Sequence, residues 1–123
     1  MDKAQAIHNF WGGFDIPAYD ENTVPDDAPL PRITYSVSTD SFNNVVPLSA
    51  NLWYKSTSWK EITEKSEEIA REIGATGYRI DAIDEGYLWI VKGTPFAQRL
   101  SDPTDGTIRR IYINILVEFL TLY

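Results

Sequence analysis

The sequence contains no cysteine and a single histidine, His8. The first absence removes disulfides, thiolate nucleophiles and every cysteine-based zinc or iron–sulfur site. The second leaves almost nothing for imidazole metal ligation or general base work, and Gly12 stands at the i+4 position where a paired ligand would sit. No serine has a nucleophile-elbow context, and neither Gly12-Gly13 nor the stretch Gly74 to Gly77 has the lysine or the spacing of a phosphate loop. No apolar run approaches a membrane span, and the N-terminus lacks the basic-then-apolar pattern of a signal peptide, so the expectation is a protein made in the cytoplasm. Base is scarcer than acid: 11 basic against 18 acidic side chains give a net charge of −7, which argues against sequence-independent phosphate binding.

What is present suffices for one core. The 123 residues are 43% hydrophobic and 13% aromatic, the size of a single domain over 1–123 that folds without staples. From Asp2 to Phe14, Ala4, Ile7, Trp11 and Phe14 recur at helical spacing. Residues 15–31 hold four prolines and five acids (Asp15, Asp20, Glu21, Asp26, Asp27) with no base, which predicts a long extended loop. Strict alternation predicts a strand from Arg32 to Thr39 and a second from Val46 to Lys55, with Trp53 as the one large aromatic on the polar face beside Ser49, Asn51 and Lys55. Ser58 with Glu61 forms a capping-box pattern ahead of a helical stripe of Trp59, Ile62, Ser66, Ile69 and Ile73, which Gly74 closes. Glu61 with Lys65 and Glu67 with Arg71 stand four apart on its outer side.

Tyr78 to Ile83 and Tyr87 to Lys92 flank Asp84-Glu85-Gly86 and predict a hairpin. A second irregular stretch, 93–106, contains Pro95 and Pro103. Thr107 to Tyr123 then gives the longest alternation, Ile111, Ile113, Ile115, Val117 and Phe119 on one face. The order predicts an α+β fold, a single mostly antiparallel sheet of about five strands with two helices packed on one face.

Acid pairs at Asp20-Glu21, Asp26-Asp27 and Asp84-Glu85 fall in predicted loops, where nothing desolvates a carboxyl for acid–base work. Asp102 to Gly106 has a faint likeness to a calcium loop, but the pattern is better met by a turn. The sequence therefore predicts no enzyme, no cofactor and no metal site. Trp11, Trp59 and Trp89 take core-facing positions, which leaves Trp53 as an interface candidate. Lys92, Arg99, Arg109 and Arg110 make 92–110 the one net basic region. An acidic loop and a basic region on one small chain imply head-to-tail contact between copies, and such contacts generate rings or filaments. The candidate interface residues are Trp53, Arg99, Arg109 and Arg110 with Asp20, Glu21, Asp26 and Asp27.

The runs FWGGFDIPAYDENTVP at 10–25, PRITYSVSTDSF at 31–42, LWYKSTSWKEITEKSEEIA at 52–70 and IVKGTPFAQRLSDPTDGTIRRIYINILVEF at 90–119 resemble the small tail-completion or tail-terminator (head–tail joining) proteins of long-tailed bacteriophages. The shared features are aromatic, proline and glycine framework positions. The resemblance implies a structural virion protein that forms a homo-oligomeric ring, a hexamer, at the head-proximal end of the tail tube. There it ends tube polymerisation and offers the head-joining surface. Its partners would be itself, the tail-tube protein and a head-completion or neck protein, with genomic DNA passing without tight binding and no membrane contact. A head-completion stopper or a minor capsid protein is the neighbouring alternative. From other classes, Trp53 with Tyr35 and Tyr54 could form an aromatic platform for a sugar or base, and a hydrolase built from converging loop acids is the weakest alternative.

Overall fold

The alternating Ile, Val and Phe of the last strand are apolar on one side and mixed on the other, a pattern that suits a strand with neighbours on both edges. The computed structural model, which describes residues 1–83 and 85–123, places it there. The elements are α1 (Lys3–Trp11) with a 3₁₀ turn at Gly12–Phe14, β1 (Ala18–Asp20), β2 (Arg32–Tyr35), β3 (Asn44–Lys55), α2 (Lys60–Ile73), β4 (Tyr78–Ile83), β5 (Gly86–Ser101) and β6 (Ile108–Thr121). The sheet order is β1-β2-β3-β6-β5-β4. All pairs are antiparallel except β1 with β2. Asp84, part of the predicted turn and of one acid pair, lies outside the described residues.

The α+β class holds, but the sheet is mixed and has six strands where about five were expected. The extra strand is β1, three residues inside the predicted 15–31 loop, too short to show any alternation. It is tied on by Ile33 N–H donating to the Pro17 carbonyl (2.8 Å) and Glu21 N–H donating to the Tyr35 carbonyl (2.9 Å). The predicted loop at 93–106 is also shorter than expected, because β5 continues through Ser101. Its register against β6 shifts between Lys92 and Ala97, and that bulge absorbs Gly93 and Pro95 without ending the strand.

Helix α1 touches both β1 and β4, the opposite edges of the sheet. A flat six-stranded sheet would be about 24 Å across and a helix only about 10 Å thick, so the sheet curls around α1. Ile7, Phe10 and Trp11 of α1 and Ile62, Ile69 and Ile73 of α2 share one buried cluster with Leu48, Leu52, Leu88, Ile90, Ile113 and Phe119. The Phe10 ring meets Trp11 and Phe14 edge-on, with centroids 4.9 and 5.4 Å away, and Tyr78 of β4 at 5.4 Å. Among the described residues, no helix is long and apolar enough to cross a membrane.

The helix ends differ from the expected pattern. Asp2 caps α1 by accepting from Gln5 N–H at 2.8 Å. In α2 the capping position is Trp59, whose side chain makes no cap bond, and Ser58 Oγ accepts from Lys60 N–H at 3.1 Å. Glu61 closes no box. Lys65 turns away from Glu61 and donates to the Phe14 carbonyl (2.7 Å) and to Glu68 (3.0 Å). Ser58→Ala is therefore expected to cost about 0.5–1 kcal/mol and Glu61→Ala less than about 0.5. Urea unfolding of both variants measures this, and equal losses would restore the capping box.

Candidate assembly interface

Because Leu48, Leu52 and Tyr54 of β3 turn to the helices, Ser49, Asn51 and Trp53 turn to the other face. Trp53 pairs in register with Arg32 on β2 and Arg110 on β6. Both guanidinium groups lie over its ring, at 5.8 and 4.9 Å from the centroid. Its Nε1 donates to Thr34 Oγ1 at 2.9 Å. Arg110 Nε donates to Asn51 Oδ1 (2.8 Å), and Arg32 donates to the Ala28 carbonyl (2.8 Å). An indole on a polar strand face is thus sheathed by cations, each contact worth about 0.5–1 kcal/mol where solvent reaches it.

A second indole is mounted the same way. Trp59, half-buried at the start of α2, has Arg99 at 4.9 Å and Arg109 at 5.1 Å from its centroid. Arg109 is braced by the carbonyls of Gly106 (3.0 Å) and Thr57 (2.7 Å), and Arg99 by Thr63 Oγ1 (3.3 Å). Adjacent on β6, Arg109 and Arg110 go to opposite faces, as the alternation predicts. Both clusters stand at the sheet end where β3 and β5 stop and β6 begins.

Among the described residues, none of these four arginines is in a salt bridge; the ion pairs are Lys65 with Glu68 and Arg79 with Asp81. The Nε atoms of Arg32 and Arg109 are shielded from solvent and have no hydrogen-bond partner among the described residues. In a chain of net charge −7, guanidinium groups held in place by rings and carbonyls, without carboxylates, are the feature that asks for a partner.

The acids lie elsewhere. Asp20 is half-buried on β1 and accepts from Asn22 N–H at 2.9 Å, while Glu21, Asp26 and Asp27 are exposed on the loop that follows the β1 edge. Asp102 and Asp105 fold over their own turn. Thr104 N–H, then its hydroxyl, holds the Asp102 carboxyl below its usual range, and the Thr107 hydroxyl, then its N–H, does the same for Asp105. This is the turn that the sequence predicts.

The aromatic platform does not assemble. Tyr35 and Tyr54 are buried on the helix side of the sheet, opposite to Trp53. Burial, then the Asp20 charge, raises the Tyr35 phenol; burial, then Glu61 and Glu68, raises Tyr54. A phenol raised by folding supports the folded chain while it stays protonated. That contribution is complete below the ordinary value of 10.0 and is lost as the pH rises through the folded values. Urea midpoints are expected to fall above about pH 10, less steeply in Tyr54→Phe; a Tyr54→Phe profile as steep as wild type would contradict this.

Trp89 corrects a further expectation. Leu88 and Ile90 of β5 take the core, so Trp89 faces away from the helices, half-buried in a depression of about 420 Å³ with Arg79, Tyr87, Glu118 and Leu120. Arg79 stacks on Tyr87 with its guanidinium carbon 3.8 Å from the ring centroid. Sequence reasoning missed Arg32, Trp59 and this pair as surface anchors; Arg79 comes opposite Trp89 only through the register shift between Ile80 and Ile83, which the sequence does not signal. Tyr, Trp and Arg are the residue types that anchor protein interfaces. Among the described residues, no three Asp, Glu or His side chains come together as a metal site. No protein-family model matches the chain, and it has no significant match among curated proteins.

Proposed function

We propose that this chain is a structural subunit that associates head to tail into a closed ring, and that the ring caps a bacteriophage tail tube as a tail terminator. One observation carries the assembly step: four arginines are fixed on Trp53 and Trp59 with no salt bridge among the described residues, while Glu21, Asp26 and Asp27 stand exposed on the 15–31 loop. Attraction between unlike surfaces of identical copies is heterologous and closes into a ring when the rotation allows. The phage role rests on the sequence resemblance, and the charge suits it, since a ring of acidic subunits lets DNA pass without gripping phosphate. The ring would form in the host cytoplasm and be retained in the virion neck.

The test is capping. Added to polymerising tail-tube protein of the cognate phage, the chain is expected to give shorter tubes with extra density at one end by negative-stain imaging. Tubes of unchanged length with bare ends would contradict the terminator role.

A further inference from the structure

The Trp53 and Trp59 clusters are not equivalent as acceptors. Arg32 is bonded to the Ala28 carbonyl, inside its own acidic loop, and Arg110 stands near enough to Asp102 to help lower that carboxyl's pKa. The Trp53 cluster is thus partly screened by its own chain. Among the described residues, the guanidinium groups of Arg99 and Arg109 make their hydrogen bonds and ring contacts with Trp59, Thr63 and backbone carbonyls, and none with a carboxylate. Beside them β5 has a free edge, because β4 pairs with it only over Gly86–Ile90, leaving Ala97–Ser101 paired to β6 alone. The acidic loop follows β1, four strand positions from β5 and about 19 Å away along the sheet. Within one chain the two are not joined by any salt bridge among the described residues.

We infer that the Arg99–Trp59–Arg109 cluster is the receptor for Asp26 and Asp27 of the next copy, so that the acidic β1 side of one subunit docks against the open β5 side of its neighbour. The inference rests on the assembly reading and specifies its contact. Three features make the cluster a carboxylate receptor. Its guanidinium groups are held by the indole and by carbonyls, so little side-chain freedom remains to be lost on docking. Arg109 carries its charge with no carboxylate in a salt bridge to it among the described residues. Arg99 is exposed at the rim, where a guanidinium bonded only to the Thr63 hydroxyl (3.3 Å) keeps further N–H donors for a carboxylate. Asp26 and Asp27 are exposed, and no hydrogen bond among the described residues occupies their side chains. Donor and acceptor belong to different strands, four positions apart in the sheet order, so each copy can give one contact and receive one, as a head-to-tail ring requires.

Two charge-reversed variants test it by sedimentation velocity: D26K/D27K, altered only on an exposed loop, and R99E/R109E. Each alone is expected to self-associate at least about 100-fold more weakly than wild type, because like charges then face each other. An equimolar mixture is expected to recover assembly, because the reversed loop fits the reversed receptor and the two unaltered surfaces fit each other. The single variant R99E, at an exposed site, weakens association even if R109E disturbs the fold, and added salt weakens wild type. Wild type that assembles while the variants match it, or while the mixture stays dissociated, overturns this docking and leaves the ring standing. Wild type that stays monomeric overturns the ring and the docking together. Duplex DNA bound by wild type and lost in R99E/R109E, without recovery in the mixture, overturns it in favour of a nucleic-acid occupant.

Discussion

Gly86→Ala is expected to cost at least about 3 kcal/mol, a large part of the roughly 6–18 kcal/mol that a chain of this length commands. Gly86 has φ +154°, a backbone region that side chains rarely enter, and it pairs with Thr121 at the end of β6. An added Cβ would press on the Leu120 carbonyl oxygen and lie 2.8 Å from Thr121 Cα, both backbone atoms of the central strand. Neither can move without opening the ladder between β5 and β6. The same substitution at Gly106 meets nothing within 4 Å and needs no unusual φ. Gly106→Ala is therefore expected to be neutral or stabilising by about 0.5 kcal/mol, since alanine narrows the unfolded ensemble. Urea unfolding compares them directly, and a Gly86→Ala midpoint equal to wild type would contradict the Gly86–Thr121 register.

Phe119→Ala is expected to cost about 3–5 kcal/mol. The side chain is fully buried on β6, between Asn44 of β3 and Leu88 of β5 in register. The Lys3 ammonium of α1 lies 5.8 Å from its ring centroid and also bonds the Asp40 carbonyl at 2.8 Å and the carbonyl of Tyr123. Truncation opens a cavity where the first helix meets the central strand, and rigid strands on both sides limit collapse. Phe119→Leu, which keeps most of the volume, is expected to cost about 1.5 kcal/mol or less. If both variants lost the same amount, the cavity would not be the cause.

The elements that could be read from the sequence are those whose periodicity runs for many residues. The alternation from Ile111 to Phe119 and the stripe from Ile62 to Ile73 each bury one side against a core, and the structure buries those sides. Three residues of β1 carry no period, and Gly93 and Pro95 mimic a strand end where a bulge lets the strand continue. Trp89 was misplaced for a different reason. Tyr87 to Lys92 is apolar on both faces, so parity alone could not say which face the helices cover. At the candidate interface, alternation was enough to put Trp53 on the polar face and to separate Arg109 from Arg110. It could not bring Arg99 to Trp59, because that contact depends on the β5–β6 register and on where α2 crosses the sheet. The helical stripe that includes Trp59 suggested a core position; the residue does pack against the core, half-buried at the helix start, and two guanidinium groups cover its outer side.

Native mass spectrometry of the purified chain over a concentration series decides whether its copies close into a ring. A closed species of one size is expected, six subunits on the phage reading, that gives way to monomer as salt rises and in R99E/R109E. A chain that stays monomeric at every concentration and at low salt would contradict it.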